Sequence, residues 1–179
     1  MKVERLSAAH RLDGFSCGNK TLDDWLRNHA IQNQDRNLSR TFVLVDDADE
    51  VIGYYSLTMG GVATTSLPKR YGRGLPSYEI SMVLLARLAV RADRHSQGFG
   101  RDLMLDAIRS AAVAGDHAAA RFIAVDPIDV AARNFYARFG FRDVEGDQGG
   151  RMSIRLDEAL AVFKRPDRPG APGRGSGAR

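Results

Sequence analysis

Apolar residues follow two rhythms along this chain. Residues 40–45 and 51–58 are dense in Val, Ile, Leu, Tyr, Phe and Thr, with the acidic turn Asp46-Asp47-Ala48-Asp49-Glu50 between them. This pattern predicts a β-hairpin. Residues 80–90 are almost uninterruptedly apolar, as expected of a central strand covered on both faces. From Leu103 the rhythm changes: Leu103, Met104, Ala107, Ile108, Ala111 and Ala112 recur on one helical face. A buried strand therefore runs through Arg94-His95-Ser96-Gln97-Gly98-Phe99-Gly100 into an amphipathic helix. Upstream, residues 3–9 predict a short first strand, and Leu22, Trp25, Leu26 and Ala30 place an apolar stripe on a helix ending near Arg36. Thr21 and Asp24 resemble a capping box at its start. Downstream, the pattern predicts a strand over 121–125, a turn at Asp126-Pro127 and a helix over 130–139 that Gly140 ends in the left-handed conformation. Phe141 and residues 152–156 supply two last strands. The order β-α-β-β-β-α-β-α-β-β describes a mixed α/β (α+β) domain, a sheet flanked by helices.

The stretch 63–78 breaks these rhythms, gathering Ser, Pro, Gly and Thr around Lys69, Arg70 and Arg73, which predicts a long exposed loop. Loops longer than about 12–15 residues in small domains tend to be functional or disordered.

Length and charge refine the picture. The 179 residues suit one domain, and with 44% hydrophobic and 27% charged residues no apolar run approaches the roughly 20 that a membrane helix needs. The start, Met1-Lys2-Val3-Glu4-Arg5-Leu6, lacks an apolar signal core, and Cys17 is the only cysteine, so a reducing cytoplasm is expected. The formal charge of +4 belongs to the end of the chain: residues 164–179 hold Lys164, Arg165, Arg168, Arg174 and Arg179 against Asp167 alone. We therefore divide the chain into a domain over 1–160 and a basic Pro/Gly/Arg-rich tail over 161–179, too poor in apolar residues to order itself. The total charge gives no argument for an anionic partner.

The turn between strand and helix is where chemistry concentrates. It gathers unpaired main-chain N–H groups at the positive end of a helix dipole, which is an anion-binding arrangement. Gly98 and Gly100 let a phosphate approach the backbone. A dinucleotide fingerprint would need Gly where Leu103 stands, and a nucleotidase loop would need Gly-Lys-Ser/Thr, so neither is present.

With these residues in view, the chain resembles the GNAT acetyltransferase superfamily, whose acetyl-CoA motif is Gln/Arg-x-x-Gly-x-Gly/Ala between a central strand and a helix. Here it reads His95-Ser96-Gln97-Gly98-Phe99-Gly100. The strand Leu84-Leu85-Ala86-Arg87-Leu88-Ala89-Val90 before it, and Ala131-Ala132-Arg133-Asn134-Phe135-Tyr136-Ala137-Arg138-Phe139-Gly140-Phe141 after it, match the family's other signatures in order and distance. His95 departs from the usual Gln or Arg. A closer resemblance, covering roughly residues 1–156, is to toxins of toxin–antitoxin pairs that acetylate the amino acid of charged tRNA. Phe15-Ser16-Cys17-Gly18-Asn19-Lys20-Thr21-Leu22-Asp23-Asp24-Trp25-Leu26 and Ala86-Arg87-Leu88-Ala89-Val90 carry it.

The resemblance implies acetyl-CoA as co-substrate, aminoacyl-tRNA as acceptor, a small ribbon-helix-helix antitoxin as partner and a homodimer. It implies direct transfer in a ternary complex: a free amine attacks the thioester carbon, a tetrahedral oxyanion forms, and CoA thiolate leaves. The family's oxyanion donor falls on the backbone N–H of Val90 and its general acid on Tyr136. The cofactor contacts fall on Leu88, Ala89, Val90, His95, Ser96, Gln97, Gly98, Phe99, Gly100, Arg101 and Asn134.

Blander readings accompany these. Alone, Tyr136 would pass for a half-buried aromatic of an amphipathic helix, and Phe135, Phe139 and Phe141 read as core. Cys17 reads as a small packed side chain and His29 as a packed histidine. His10, His29, His95 and His117 lack metal-ligand spacing, so no metal is expected. Basic residues exceed acids over 69–109, and Lys69, Arg70, Arg73, Arg87 and Arg91 are the candidates to face tRNA. Arginine outnumbers lysine 22 to 4, which suits phosphate forks. The alternatives are an acetyltransferase acting on a small amine or a protein N-terminus, and a non-catalytic CoA- or nucleic-acid-binding module.

Overall fold

The computed structural model describes residues 1–63, 74, 78–144 and 150–161. Among these, seven strands form one mixed sheet in the order β1-β2-β3-β4-β5-β7-β6. The strands are β1 Lys2–Arg5, β2 Arg40–Val45, β3 Val51–Val62, β4 Ile80–Val90, β5 Phe122–Val125, β6 Arg142–Asp143 and β7 Met152–Arg155. The pair β4 and β5 is parallel, and every other pairing is antiparallel. A parallel pair needs a crossover, and here it contains the long helix α3, Phe99–Ala118.

Side-chain alternation sorts the sheet into two faces. Val43, Val45, Tyr54 and Ala89 pack with Phe15, Trp25, Leu26 and Ala30 under the helices α1 (Lys20–Asn28) and α2 (Ala30–Asp35). Leu44, Tyr55, Leu85 and Val90 face the other way, against Leu103, Met104, Ala107 and Ile108 of α3. The helices α4 (Val130–Ala137) and α5 (Leu156–Leu160) join this second layer through Tyr136 and Ala159.

One irregularity sets up the site. Ser56 pairs with Arg87 while its neighbour Leu57 pairs with Leu85, so Ala86 is an extra residue in β4. Before this bulge Val83 and Leu85 face α3; after it, Leu88 and Val90 do, and Ala89 turns to the α1 side. The bulge reverses which residues of the strand's last turn face each layer.

The hairpin, the central strand and the strand–turn–helix order are as the pattern predicts. Gly140 adopts φ +91° after α4, the left-handed end expected of it. Other expectations are corrected. The first strand stops at Arg5. The N-cap of α1 is Asn19, whose side chain accepts from the N–H groups of Thr21 and Leu22, so Thr21 lies inside the helix. The helix breaks at His29, which leaves helical geometry at ψ −25° and φ −126° and is exposed rather than packed. Residues 152–156 end in the short α5, because the main chain turns where the Leu156 N–H donates to the Arg121 carbonyl. The loop 63–78 and the tail fall mainly outside the described residues, with Lys69, Arg70 and Arg73 among them.

Candidate functional site

The site begins where β4 outruns its neighbour. Pairing with β5 ends at Leu85 and Val125, and β4 continues to Val90. The Arg91 N–H donates to the Ile52 carbonyl at 2.9 Å. Antiparallel pairs alternate, so this rung fixes the others: Ala89 and Arg87 turn their main-chain groups toward β3, while Leu88 and Val90 turn theirs away from it. The N–H of Val90 thus points into the gap that β5 leaves.

The chain then turns through a short 3₁₀ segment, Ala92–Arg94, into the glycine corner. Ser96 (φ +62°) and Gly98 (φ +94°) both take positive φ, and Gly98 is the residue before α3. A Cβ at Gly98 would meet no neighbour, so the conformation rather than space demands glycine there. Among the described residues, none of the N–H groups from Ser96 to Gly100 donates to a protein acceptor. With the orphan donors of the first turn of α3 they form a concave set of dipoles directed outward.

Two cavities meet at this corner. One of 710 Å³ is lined by Ser96, Gly98, Gly100, Arg101, Leu105, Phe135, Arg138 and Phe139. The other, of 460 Å³, runs past Ser96 and Gly100 to Leu88, Ala89 and Val90 and is closed opposite by Cys17, Gly18, Asn19 and Leu22. The first joins main-chain donors and two arginines to an aromatic floor. That suits a ligand with phosphates at one end and an apolar arm, and acetyl-CoA fits this description.

The opposite wall is held by one carboxylate. Asp23, 5% exposed, accepts from the Cys17 N–H at 2.8 Å and the Ser16 hydroxyl at 3.0 Å. Burial pushes its carboxyl up, but the hydrogen bonds from Cys17 and Ser16 and the charge of Arg27 outweigh this and hold it below the usual carboxylate range. The Ala92 N–H donates to the Ser16 carbonyl at 2.8 Å, tying this wall to the end of β4. Burial pushes the Cys17 thiol up to about 11, which keeps it protonated and unreactive near neutral pH.

Tyr136 is 8% exposed, its ring packed against Phe135 and Phe141. Burial raises its phenol to about 12. The hydroxyl has no partner among the described residues, yet it is not one of the fully enclosed unpaired polar atoms. It is a neutral donor with access to solvent. Tyr136 lines neither cavity, and Asn134 is exposed on the same helix, also outside both.

The remaining sequence candidates separate. His95 directs Nε2 at the Val90 carbonyl, 2.7 Å away, and its N–H at the Ala92 carbonyl, so both donors are spent on the protein. Gln97 binds the Asp93 carbonyl through its side chain. Arg91 is forked onto Asp93 and also paired with Glu50, which removes it as a free phosphate contact. Arg87 lies over the Trp25 indole at 4.1 Å and has no acid partner among the described residues.

Phe135 and Phe139 line a cavity as well as packing in the core, whereas Phe141 is core alone. Cys17, Gly18, Asn19, Leu22, Ile128, Asp129, Leu105 and Arg138 line the cavities without having been named as site residues. For Arg138 a signal existed: it stands two residues after Tyr136 at the end of the helix that faces the glycine corner.

The acetyltransferase (GNAT) domain family matches residues 37–143. The chain is 38% identical over 159 residues to a tRNA-acetylating toxin of Mycobacterium tuberculosis, covering 89% of this chain and 94% of the relative. Its fold is similar to that of AtaT complexed with acetyl-methionyl-tRNAfMet, with a TM-score of 0.83 at 24% identity over 90% of this chain and 98% of that one. It is also similar to a mutant AtaT toxin bound to the C-terminus of the antitoxin AtaR and acetyl-CoA, with a TM-score of 0.77 at 21% identity over 92% and 98% of the two chains.

Proposed function

The chain belongs to the GNAT acetyltransferase family, and on that premise we propose that it moves an acetyl group from acetyl-CoA to the free amine of aminoacyl-tRNA. Blocking that amine stops translation, so the protein acts as the toxin of a toxin–antitoxin pair. The observation that carries the chemistry is the open Val90 rung standing beside the glycine-cornered set of N–H groups in one cleft. The choice of acceptor is supported by the relative of 38% identity, a tRNA-acetylating toxin.

Acetyl-CoA supplies an acetyl group activated as a thioester; the protein supplies position and protons. Main-chain N–H groups of Ser96, Gln97, Gly98, Phe99 and Gly100, with Arg101 and Arg138 at the rim, hold the phosphates. Leu88 and Ala89 form the strand edge along which the arm lies, Phe135 and Phe139 exclude water from it, and Asn134, exposed outside both cavities, offers an amide to the arm only by the family resemblance. The Val90 N–H donates to the carbonyl oxygen as it gains charge, a strong contribution because the donor is fixed before reaction. The Tyr136 hydroxyl, neutral at physiological pH and kept so further into alkali by burial, donates to the departing sulfur. The attacking nitrogen must lose one proton to become an amide, and that proton returns to the Tyr136 phenolate through a positioned water, so the phenol is restored. No side chain is needed as base, because the amine of an aminoacyl ester is less basic than that of lysine and a positioned water suffices.

Arg87 is the tRNA-facing residue of the described region, and Lys69, Arg70 and Arg73 of the loop belong to the same proposal. A ribbon-helix-helix antitoxin is the proposed partner, in keeping with the AtaR-bound likeness, and a homodimer the proposed assembly. The protein works in the cytoplasm, where charged tRNA is found; no helix among the described residues is long and apolar enough to cross a membrane. Incubation with acetyl-CoA and a pool of charged tRNAs is expected to yield acetylated aminoacyl esters. Acetylation of free amines with charged tRNA untouched would overturn the acceptor.

A further inference from the structure

His95 occupies the first position of the glycine corner, yet its side chain is turned back onto β4. Nε2 lies 2.7 Å from the Val90 carbonyl oxygen. A carbonyl oxygen only accepts, so Nε2 carries the proton and donates. The tether closes the corner from Val90 to His95, and the hydrogen bonds Arg94 N–H to Arg91 carbonyl and His95 N–H to Ala92 carbonyl close it again from within.

What the tether holds is the residue whose N–H faces the reacting oxygen. In an extended strand the N–H and C=O of one residue point to the same side. Val90 therefore presents two opposed dipoles to the gap beside β5: an N–H that would stabilise a developing negative charge and a C=O that would repel it. Left unpaired, the carbonyl cancels part of the field of its own amide. The imidazole N–H removes that opposition and fixes the orientation of the peptide. We infer that His95 is a positioning residue for the acetyl transfer, neutralising the Val90 carbonyl so that the Val90 N–H alone acts on the oxygen of the thioester.

This role differs from a phosphate contact. A phosphate ligand lowers KM for acetyl-CoA; a residue that acts through Val90 raises kcat, because its effect grows as charge appears on the oxygen. It also differs from a purely structural role, which any side chain of similar size would fill. The inference rests on the acetyltransferase reading, so wild-type release of CoA thiol from acetyl-CoA with charged tRNA is the control: failure there strikes the reading, not His95.

The test compares His95→Ala with His95→Gln by steady-state kinetics and measures acetyl-CoA binding by calorimetry. Glutamine keeps a donor at a similar reach. His95→Ala is expected to lower kcat about ten- to a hundredfold while KM and Kd for acetyl-CoA stay within about threefold, and His95→Gln to recover most of the loss. A rise in KM and Kd with kcat intact, unchanged kinetics, or glutamine no better than alanine would each overturn the inference. Should the alanine protein not fold, His95→Asn, too short to reach, takes its place against glutamine. Independently, ¹⁵N resonances of the imidazole in the wild-type protein should show a protonated Nε2; a bare Nε2 would overturn it without any activity measurement.

Discussion

The two walls of the cleft are made of different materials. The wall at the head of α3 is main chain: positive-φ corners at Ser96 and Gly98 present backbone N–H groups, and side chains mostly stay out of the way. The facing wall, residues 16–22, is side-chain work: Asp23 gathers Ser16 and Cys17, Asn19 caps α1, and Trp25 stacks on Tyr54 beneath. A backbone-built wall is vulnerable to changes of conformation, and a side-chain-built wall to loss of one group. Variants on the two sides should therefore fail differently.

The largest effect is expected from Tyr136→Phe on the α3 side. Removing the phenol while keeping the ring should lower kcat roughly 10²- to 10⁴-fold with acetyl-CoA binding intact; unchanged turnover would remove Tyr136 from the chemistry. The pH profile sharpens this. Burial raises the phenol to about 12, so its proton is lost only as pH climbs toward that value. Between about pH 8 and 10.5 kcat should show no alkaline fall, whereas a fall near pH 10 would mean that the acting acid is an ordinary phenol or another group.

Gly98→Val should come next. A β-branched residue resists φ +94°, and relaxation of the corner disperses the N–H groups, so affinity for acetyl-CoA by calorimetry is expected to drop about ten- to a hundredfold. Gly100→Ala is the contrasting variant: a Cβ there would meet the Phe135 ring at 3.6 Å, an ordinary contact, and binding should change little. If Gly98→Val bound normally, the cradle would not be the phosphate site.

On the opposite wall, Asp23→Ala leaves the Cys17 N–H and Ser16 hydroxyl without their acceptor, at a cost of about 1–3 kcal/mol readable by denaturant unfolding. The sign of its pH dependence follows from a folded carboxyl held below the unfolded value of about 3.9. Its contribution is complete above that value and lost as pH falls below it, so wild type and variant should converge in stability under acid. Acetyl-CoA affinity should survive, because the phosphates are proposed to sit on the other wall.

The same difference of material explains what the sequence shows. A backbone cradle needs glycine at a fixed place between a buried strand and an amphipathic helix, so Gly98 and the rhythm of residues 80–112 announce it. The register of β4 is not announced: the extra residue at Ala86, which turns Val90 toward α3, depends on pairing with β3 and β5. The second wall is equally hidden, since nothing local says that Asp23 reaches back to Cys17 or that the break at His29 divides the helix. Charge misleads for the same reason. Arg91 counts as a free cation along the chain, but the hairpin turn brings Glu50 to it and Asp93 completes its pairing.

The smallest effect, and the one that separates the walls by substrate, belongs to Arg87. The bulge turns it to the α1 side, where its guanidinium lies on the Trp25 indole; burial holds it below the usual arginine range without discharging it. Stacking fixes the planar group and leaves its edge donors for a phosphate or a base edge. Arg87→Gln removes one cation from the side proposed to face the acceptor and none from the cradle. KM for aminoacyl-tRNA should rise a few-fold, with the salt dependence of that KM reduced by about one charge, while KM for acetyl-CoA stays constant. Arg91→Gln, starting from a cation already shared by two carboxylates, should reduce that salt dependence less. Equal slopes for the two variants would mean that stacking confers no special role, and an acetyl-CoA defect in Arg87→Gln would mean that the walls do not divide the substrates.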